Sequence, residues 1–254
     1  MCKIAHFDLE CSTFGPEEIP YDLPQDKFDE WLASHGDKAV IEFAGKIVQS
    51  GKVIEELHIL INPGKVIIAP QAIEVHGITP DMVENAMPFS EAGELIKDFF
   101  SKCDFACAYN GRRFDKQYLE LEFSRLRGKI VKFNLPIFDP FIFYKSVDSK
   151  RAVKKGASLL AGATSYGCGK SSDIKNKLSV AHRAMNDIDM QIDLVNAMMI
   201  KDIQCHTVQE LFELQDKLEQ KQNNIREKNA KIRANRKAKV EKEIEEAGDD
   251  NANI

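Results

Sequence analysis

Apolar and polar positions alternate from Lys3 to Leu9. Ala5, Phe7 and Leu9 fall on one side, and Asp8 and Glu10 project together on the other. Val40–Gln49 and Lys52–Ile61 are apolar-rich and meet at Ser50-Gly51, the pattern of a hairpin, which Asn62-Pro63-Gly64 closes. With the first strand they predict a three-stranded antiparallel start. Residues 70–85 read as short helical turns around Val75-His76-Gly77-Ile78-Thr79-Pro80, and Ser90 as the cap of a helix running to Phe100. A short strand over Phe105–Tyr109 turns at Asn110-Gly111 into a helix over Arg112–Leu126, whose buried row carries Leu119, Phe123 and Leu126. Leu135–Phe138 is another short strand, and Ser158–Ser165 a helix ending at Tyr166-Gly167. Met185, Ile188, Ile192, Val195 and Met199 recur at intervals of 3, 4, 3 and 4, a strong amphipathic helix over Ala184–Met199.

Beyond Thr207 the pattern stays helical but turns polar. Leu211, Leu218, Ile225 and Ile232 repeat every seven residues, while the second core position is apolar only at Leu214, a weak coiled-coil pattern. Residues 221–240 hold eight Lys/Arg and one Glu, net +7, and residues 241–250 hold six Asp/Glu and one Lys, net −5. Charge of this kind is first the mark of a solvated helix with a frayed tail, and its segregation into basic and acidic blocks also fits a docking segment. The expected division is a domain over 1–205 and a charged helical arm over 206–254.

Length and composition agree with one sizeable domain plus an appendage: 254 residues, 43% hydrophobic and 30% charged, with a formal charge of −5. The negative balance argues against a nonspecific nucleic-acid coat but leaves room for an enzyme that meets phosphates through metal ions. Six scattered cysteines without a Cys-x-x-Cys pair read as reduced thiols rather than a zinc site or a disulfide frame. With no leader and no membrane span expected, a cytoplasmic location is the expectation.

The candidate chemistry begins at Asp8 and Glu10. Two carboxylates on one face of a strand repel each other unless a cation sits between them, and a divalent ion such as Mg²⁺ is the usual partner; an edge strand with a polar face is the bland alternative. Asp115 stands at the start of its predicted helix, where a site carboxylate and a plain dipole-stabilising Asp are equally good readings. Asp187 flanks the apolar stripe of the later helix, with His182 five residues before it. The Pro-rich stretch from Ser12 to Lys38, with Phe28, Trp31 and Leu32 at the spacing of a short helix, fits a binding loop or a surface excursion.

Taken in order, these segments resemble the DEDD-type 3′–5′ exonucleases of the DnaQ-like family, in the subgroup whose third motif carries histidine. Phe7-Asp8-Leu9-Glu10 matches the first motif, Asn110 to Asp115 the second (Asn-x-x-x-Phe-Asp), and His182 to Asp187 the third (His-x-Ala-x-x-Asp). The stretches Asn62-Pro63 and Val75 to Thr79 also resemble the family's connecting region, so the likeness covers roughly residues 3–200. Cys11, Ser12 and Thr13 stand where the family usually has Thr and then Gly, and the Ser12–Lys38 loop is longer than usual.

The resemblance implies a ribonuclease H-like fold: a mixed α/β sheet of about five strands flanked by helices, followed by the charged helical extension. It also implies phosphodiester hydrolysis at 3′ ends with two Mg²⁺ ions, for which Mn²⁺ would substitute. Asp8 would bridge the ions, Glu10 and Asp187 would hold one, Asp115 the other, and His182 would take the proton of the attacking water. Leu9, Cys11, Ser12, His76 and Asn110 are the residues expected at the terminal nucleotide, with His76 equally readable as a turn histidine packed on Ile78. Phe14 and Tyr109 fit base stacking or plain packing, and Asp139 a structural role. DNA of the proofreading or repair type is the favoured substrate. An RNA-trimming enzyme and a noncatalytic nucleic-acid scaffold on the same fold are the competing readings. The C-terminal helix is expected to bind a partner protein, a second copy or the nucleic-acid backbone.

Overall fold

A computed structural model of the chain describes residues 2–15, 19–147, 158–168 and 183–250. Six strands form one sheet: β1 (Lys3–Cys11), β2 (Val40–Gln49), β3 (Lys52–Asn62), β4 (Met87–Pro88), β5 (Phe105–Cys107) and β6 (Ile137–Phe138), in the order β4-β3-β2-β1-β5-β6. β1 to β3 pair antiparallel, and β5 and β6 add parallel to the free side of β1. The sixth strand, beyond the five or so expected, is the two-residue β4, which pairs parallel with the end of β3. The fold is ribonuclease H-like.

The hairpin turns where its sequence says it should. Ser50 and Gly51 both have positive φ, 55° and 73°, and that pair of dihedrals matches the right-handed twist of the flanking strands. The following helices are α1 (Phe28–Ala33), α2 (Pro70–His76), α3 (Pro80–Val83), α4 (Phe89–Ser101), α5 (Asp115–Arg127), α6 (Pro140–Val147), α7 (Leu159–Tyr166), α8 (Arg183–Lys201) and α9 (Val208–Asp250).

One face of the sheet carries the aromatic core. Ala5, Phe7, Leu9 and Cys11 of β1 are buried there with Phe43 and Ile47 of β2, against Phe99 and Phe100 of α4 and Tyr118 and Leu119 of α5. Phe100 stands edge-on to Phe7, with ring centres 5.0 Å apart, and Phe99 edge-on to Phe43 at 5.6 Å, the arrangement that ring quadrupoles favour. Gly45 makes this approach possible: a Cβ there would lie 2.7 Å from the Phe99 ring. The opposite face meets α8, where Ala44 packs with Ala184 and Ile188.

The structure corrects several expectations. Helix α4 starts at Phe89, after an extended Pro88 that makes no side-chain cap bond, so Ser90 is not its cap. Packing of Phe89 on Phe123, 5.2 Å between ring centres, fixes the start instead. Helix α5 starts at Asp115 rather than Arg112, because residues 110–114 are held in turns. Helix α6 was not expected, although Asp139-Pro140 is a start signal: the Asp139 carboxylate accepts the Phe141 N–H at 3.0 Å, and proline suits the first helical position. On α8 the fully buried positions are Ala184, Ile188, Gln191, Leu194, Val195 and Met198. Met185, Ile192 and Met199 of the expected stripe are only half-buried.

The Ser12–Lys38 insertion is stitched to α5 by that helix's own polar side chains. Gln117 accepts the Ile19 N–H at 3.0 Å, Glu120 accepts the Tyr21 hydroxyl at 2.6 Å, and Arg125 donates to the Lys38 carbonyl at 2.9 Å. Helix α1 carries Phe28 into the interior, and Trp31 stacks obliquely on it and on His35.

Contacts divide the chain into two units, Met1–Gln204 and Cys205–Ile254. In the second, Thr207 caps the start of α9: its hydroxyl accepts the Glu210 N–H, and the Glu210 carboxylate reaches back to accept the His206 N–H. Ile225 and Ile232 of the seven-residue row are exposed. Among the described residues no helix is long and apolar enough to cross a membrane.

Gly45→Ala should lower stability by about 1–3 kcal/mol by overpacking the Phe99 ring. Paired with Phe99→Leu, the loss should fall short of the sum of the two single changes. Urea unfolding of the four proteins of this double-mutant cycle measures that coupling.

Candidate active site

Three segments distant in sequence bring four carboxylates to one cavity of about 210 Å³, lined by Asp8, Glu10, Asp115 and Asp187 together with Leu9, Val75, Tyr109, Asn110 and Phe114. β1 supplies Asp8 and Glu10 on the face that alternation predicts. Asp115 is the first residue of α5, and its Oδ1 accepts the Leu9 N–H at 3.0 Å. That bond ties the second segment to the backbone of the first, between its two carboxylates. Asp187 comes from the first turns of α8.

The loop before α5 is clamped from two sides. Asn110 sits in the left-handed region at φ 62°, a conformation asparagine tolerates better than most residues. Gly111 follows because a Cβ there would run into the Cβ of Ala108 at 2.2 Å. Asp139 accepts the N–H groups of Asn110 at 2.8 Å and Arg112 at 3.4 Å. Gln191, buried one turn after Asp187 on α8, accepts the Tyr109 N–H at 2.6 Å and donates to the Cys107 carbonyl at 3.0 Å. Asp187 and Asp115 are therefore held in register through the end of β5.

Burial and mutual repulsion make this cavity unfavourable for negative charge. Burial, then Asp115, Glu10, Asp187 and Glu42, hold the Asp8 carboxyl well above the usual carboxylate range. Burial also pushes Asp115 up to about 7, against the bonds from its own and the Leu9 N–H. Among the described residues no lysine, arginine or histidine lines the cavity. His6, on the same strand face, cannot compensate, because burial drives it down to about 3 and leaves it neutral. Four hard oxygen donors with no basic side chain among them suit a divalent cation of the Mg²⁺ type. Among the described residues no three His, Cys, Asp or Glu side chains are arranged so that they alone could hold a metal ion. Mg²⁺ does not require an all-protein site, since it keeps water and takes one or two carboxylates beside phosphate oxygens. A larger cavity, about 560 Å³, lies elsewhere and contains none of the four carboxylates.

Of the residues expected at the terminal nucleotide, Leu9 and Asn110 line the cavity, and Cys11, Ser12 and His76 do not. Alternation sends the Cys11 side chain into the aromatic core with Phe7. The Ser12 hydroxyl accepts the Ala39 N–H at 2.8 Å and donates to the Asp37 carbonyl at 3.0 Å, closing the base of the insertion. His76 is buried with Nδ1 accepting the Ile78 N–H at 2.9 Å, which is the turn role. Its exposed neighbour Val75 faces the cavity instead. Tyr109 is at the site, whereas Phe14 is exposed and outside the lining. His182 lies outside the described residues. Sequence reasoning missed Phe114, Val75 and Gln191; a glutamine four residues after Asp187, on the buried side of an amphipathic helix, was the available signal for the last.

The exonuclease family model matches residues 7–195, which include all four carboxylates. This chain belongs to the exonuclease family. The exonuclease domain is 26% identical over 184 residues to PolC-type DNA polymerase III of Thermotoga petrophila and of Thermotoga maritima, spanning 71% of this chain and 12% of each polymerase. Its fold resembles E. coli exonuclease I in complex with an oligonucleotide, with TM-score 0.55, 18% identity, and coverage of 84% of this chain and 43% of the other. It also resembles exonuclease X in complex with 5′-overhanging duplex DNA, with TM-score 0.52, 15% identity, and coverage of 82% and 98%. The chain thus spans about an eighth of the polymerases and under half of exonuclease I. The family is divalent-metal dependent, and a zinc-bound form of E. coli exonuclease I with single-stranded DNA is among the similar structures.

Asp115→Asn should stabilise the metal-free protein while abolishing activity. Burial raises the folded-state pKa of Asp115, so the folded protein binds this proton more tightly than the unfolded chain, and ionisation costs stability as pH rises from about 4 to about 7. The asparagine carbonyl can still accept the Leu9 N–H. In EDTA, the melting temperature of the variant should exceed that of the parent by a few degrees at pH 8 and by little at pH 4.

Proposed function

We propose that this chain removes nucleotides from the 3′ end of DNA by phosphodiester hydrolysis and releases nucleoside 5′-monophosphates. The observation that carries this reading is the convergence of Asp8, Glu10, Asp115 and Asp187 on one cavity. The polymerase relatives and the DNA-bound exonuclease X favour DNA. A cytoplasmic site of action agrees with six free thiols.

In this reading Asp8, Glu10, Asp115 and Asp187 would hold two Mg²⁺ ions. When bound, the ions supply a lowered pKa for water and charge stabilisation at the leaving oxygen. The chain's own residues do the rest. The Leu9–Asp115 bond keeps the β1 carboxylates and the α5 carboxylate at a fixed separation. Leu9, Val75, Phe114 and Tyr109 offer apolar surface beside them to the terminal sugar and base, and Asn110 a polar contact. His182 accepts the proton of the attacking water, a task suited to an imidazole near neutral pH.

A strand labelled at its 5′ end, incubated with Mg²⁺, should give a ladder that shortens from the 3′ end. Activity persisting in EDTA or in Asp8→Ala would sink the proposal, and faster trimming of a matched RNA would overturn the DNA preference. His182→Ala should slow turnover by about 10²–10⁴-fold with divalent-ion binding retained.

The segment after Cys205 we assign to binding rather than catalysis. Its exposed Ile225 and Ile232, beside a basic stretch of net +7 over 221–240, support pairing with another chain or tracking of the nucleic-acid backbone. A chain ending at Cys205 should fold and cleave a short oligonucleotide at the parent rate. The loss should appear in self-association, measured by light scattering, or in salt-sensitive affinity for long strands.

A further inference from the structure

The cavity of about 560 Å³ is used by nothing in the proposed reaction. It opens along the later half of α5, from Glu120 to Arg127, about 8 to 18 Å along the helix from Asp115, between that stretch, the last turn of α4 and residues 129–135 leading to β6. Its floor is apolar, built from Phe100, Phe123, Val131, Phe133 and Leu135. Its rim is basic, with Lys97, Arg127, Lys129 and Lys132.

The charge there is not balanced. Lys97 and Arg127 share one carboxylate, Glu94, at 2.8 and 3.5 Å. Among the described residues Lys129 and Lys132 have no carboxylate partner, and Lys132 rests over the Tyr21 ring, 5.1 Å from its centre. The single acid in the lining, Glu120, is buried and satisfied from within by Tyr21, Lys116 and the Phe133 N–H. A chain with net charge −5 thus gathers uncompensated positive charge around an apolar hollow. The volume lies in the range of specific ligand sites rather than surface roughness.

We propose that this cavity binds a peptide segment of a partner protein in which carboxylates flank one or two bulky apolar side chains. The apolar floor would take those side chains and the rim cations the carboxylates, giving affinity from the first and orientation from the second. A nucleic-acid strand fits less well. Bases need open aromatic faces to stack on, and here Phe100 and Phe123 are buried, with their rings in edge-to-face contacts with Phe7, Phe133 and Phe89. The two cavities share no lining residue, so an occupant would leave the carboxylate site open and the contact would tether the nuclease rather than block it.

The test uses the full chain and three fluorescein-labelled twelve-residue peptides. One carries Asp and Glu around a central Phe-Leu pair, the second replaces that pair by Ala-Ala, and the third replaces the acids by Lys. Anisotropy should show saturable binding of the first alone. The double change Lys129→Glu and Lys132→Glu should weaken it by roughly tenfold or more while cleavage of a short oligonucleotide is unchanged. Equal binding of the Ala-Ala peptide, or unaltered affinity of the double variant, would overturn the proposal. So would no peptide binding accompanied by a drop in the double variant's affinity for a long single strand in EDTA, which would make the surface a nucleic-acid face.

Discussion

The hydrogen bond from the Leu9 N–H to the Asp115 carboxylate is the constraint on which the site depends. It fixes a carboxylate at the start of α5 beside a strand that presents two more, although like charges at that separation repel and burial disfavours each ionised form. Burial holds the Asp8 and Asp115 carboxyls above their ordinary range in the protein alone. The surrounding structure therefore has to hold these groups where they would not settle by themselves. In the proposed reading a divalent cation would offset this repulsion.

What holds the groups in place is the rest of the fold. Phe7 and Leu9 anchor β1 in the aromatic core, so the strand cannot rotate its acids away. Asp139 and Gln191 each bind backbone N–H groups at the end of β5. The first sets the Asn110–Phe114 turns, and the second sets the angle at which α8 delivers Asp187. Neither touches the cavity, and the site's geometry depends on both.

Helix α5 serves two ends and two faces. Its first residue enters the carboxylate cavity, buried Gln117 and Glu120 accept the Ile19 N–H and the Tyr21 hydroxyl of the long insertion, and buried Glu122 accepts the Val40 N–H where β2 begins. The insertion is thereby converted from a loop into part of the domain wall. At the helix's last turn, Arg127 contributes to a basic rim around a second apolar hollow.

Much of this was legible in the chain itself, where the cause is local. The Ser50-Gly51 turn, the Ser158 and Gly167 ends of α7, and the face shared by Asp8 and Glu10 all follow from dihedral preference and strand period, which act over a few residues. The three acidic motifs identified the family for the same reason, since each is a short contiguous pattern. Tertiary structure decided what depends on partners far away in sequence. It gave Ser12 to the insertion's backbone and Cys11 to the core, placed Val75 rather than His76 at the cavity, and rotated the buried face of α8 so that Gln191 could reach β5. It also gathered Lys97, Arg127, Lys129 and Lys132 around one hollow. Periodicity shows which side of an element is apolar. Which groups across the fold satisfy a polar atom, or share a cavity, is set only when the sheet and helices close on one another.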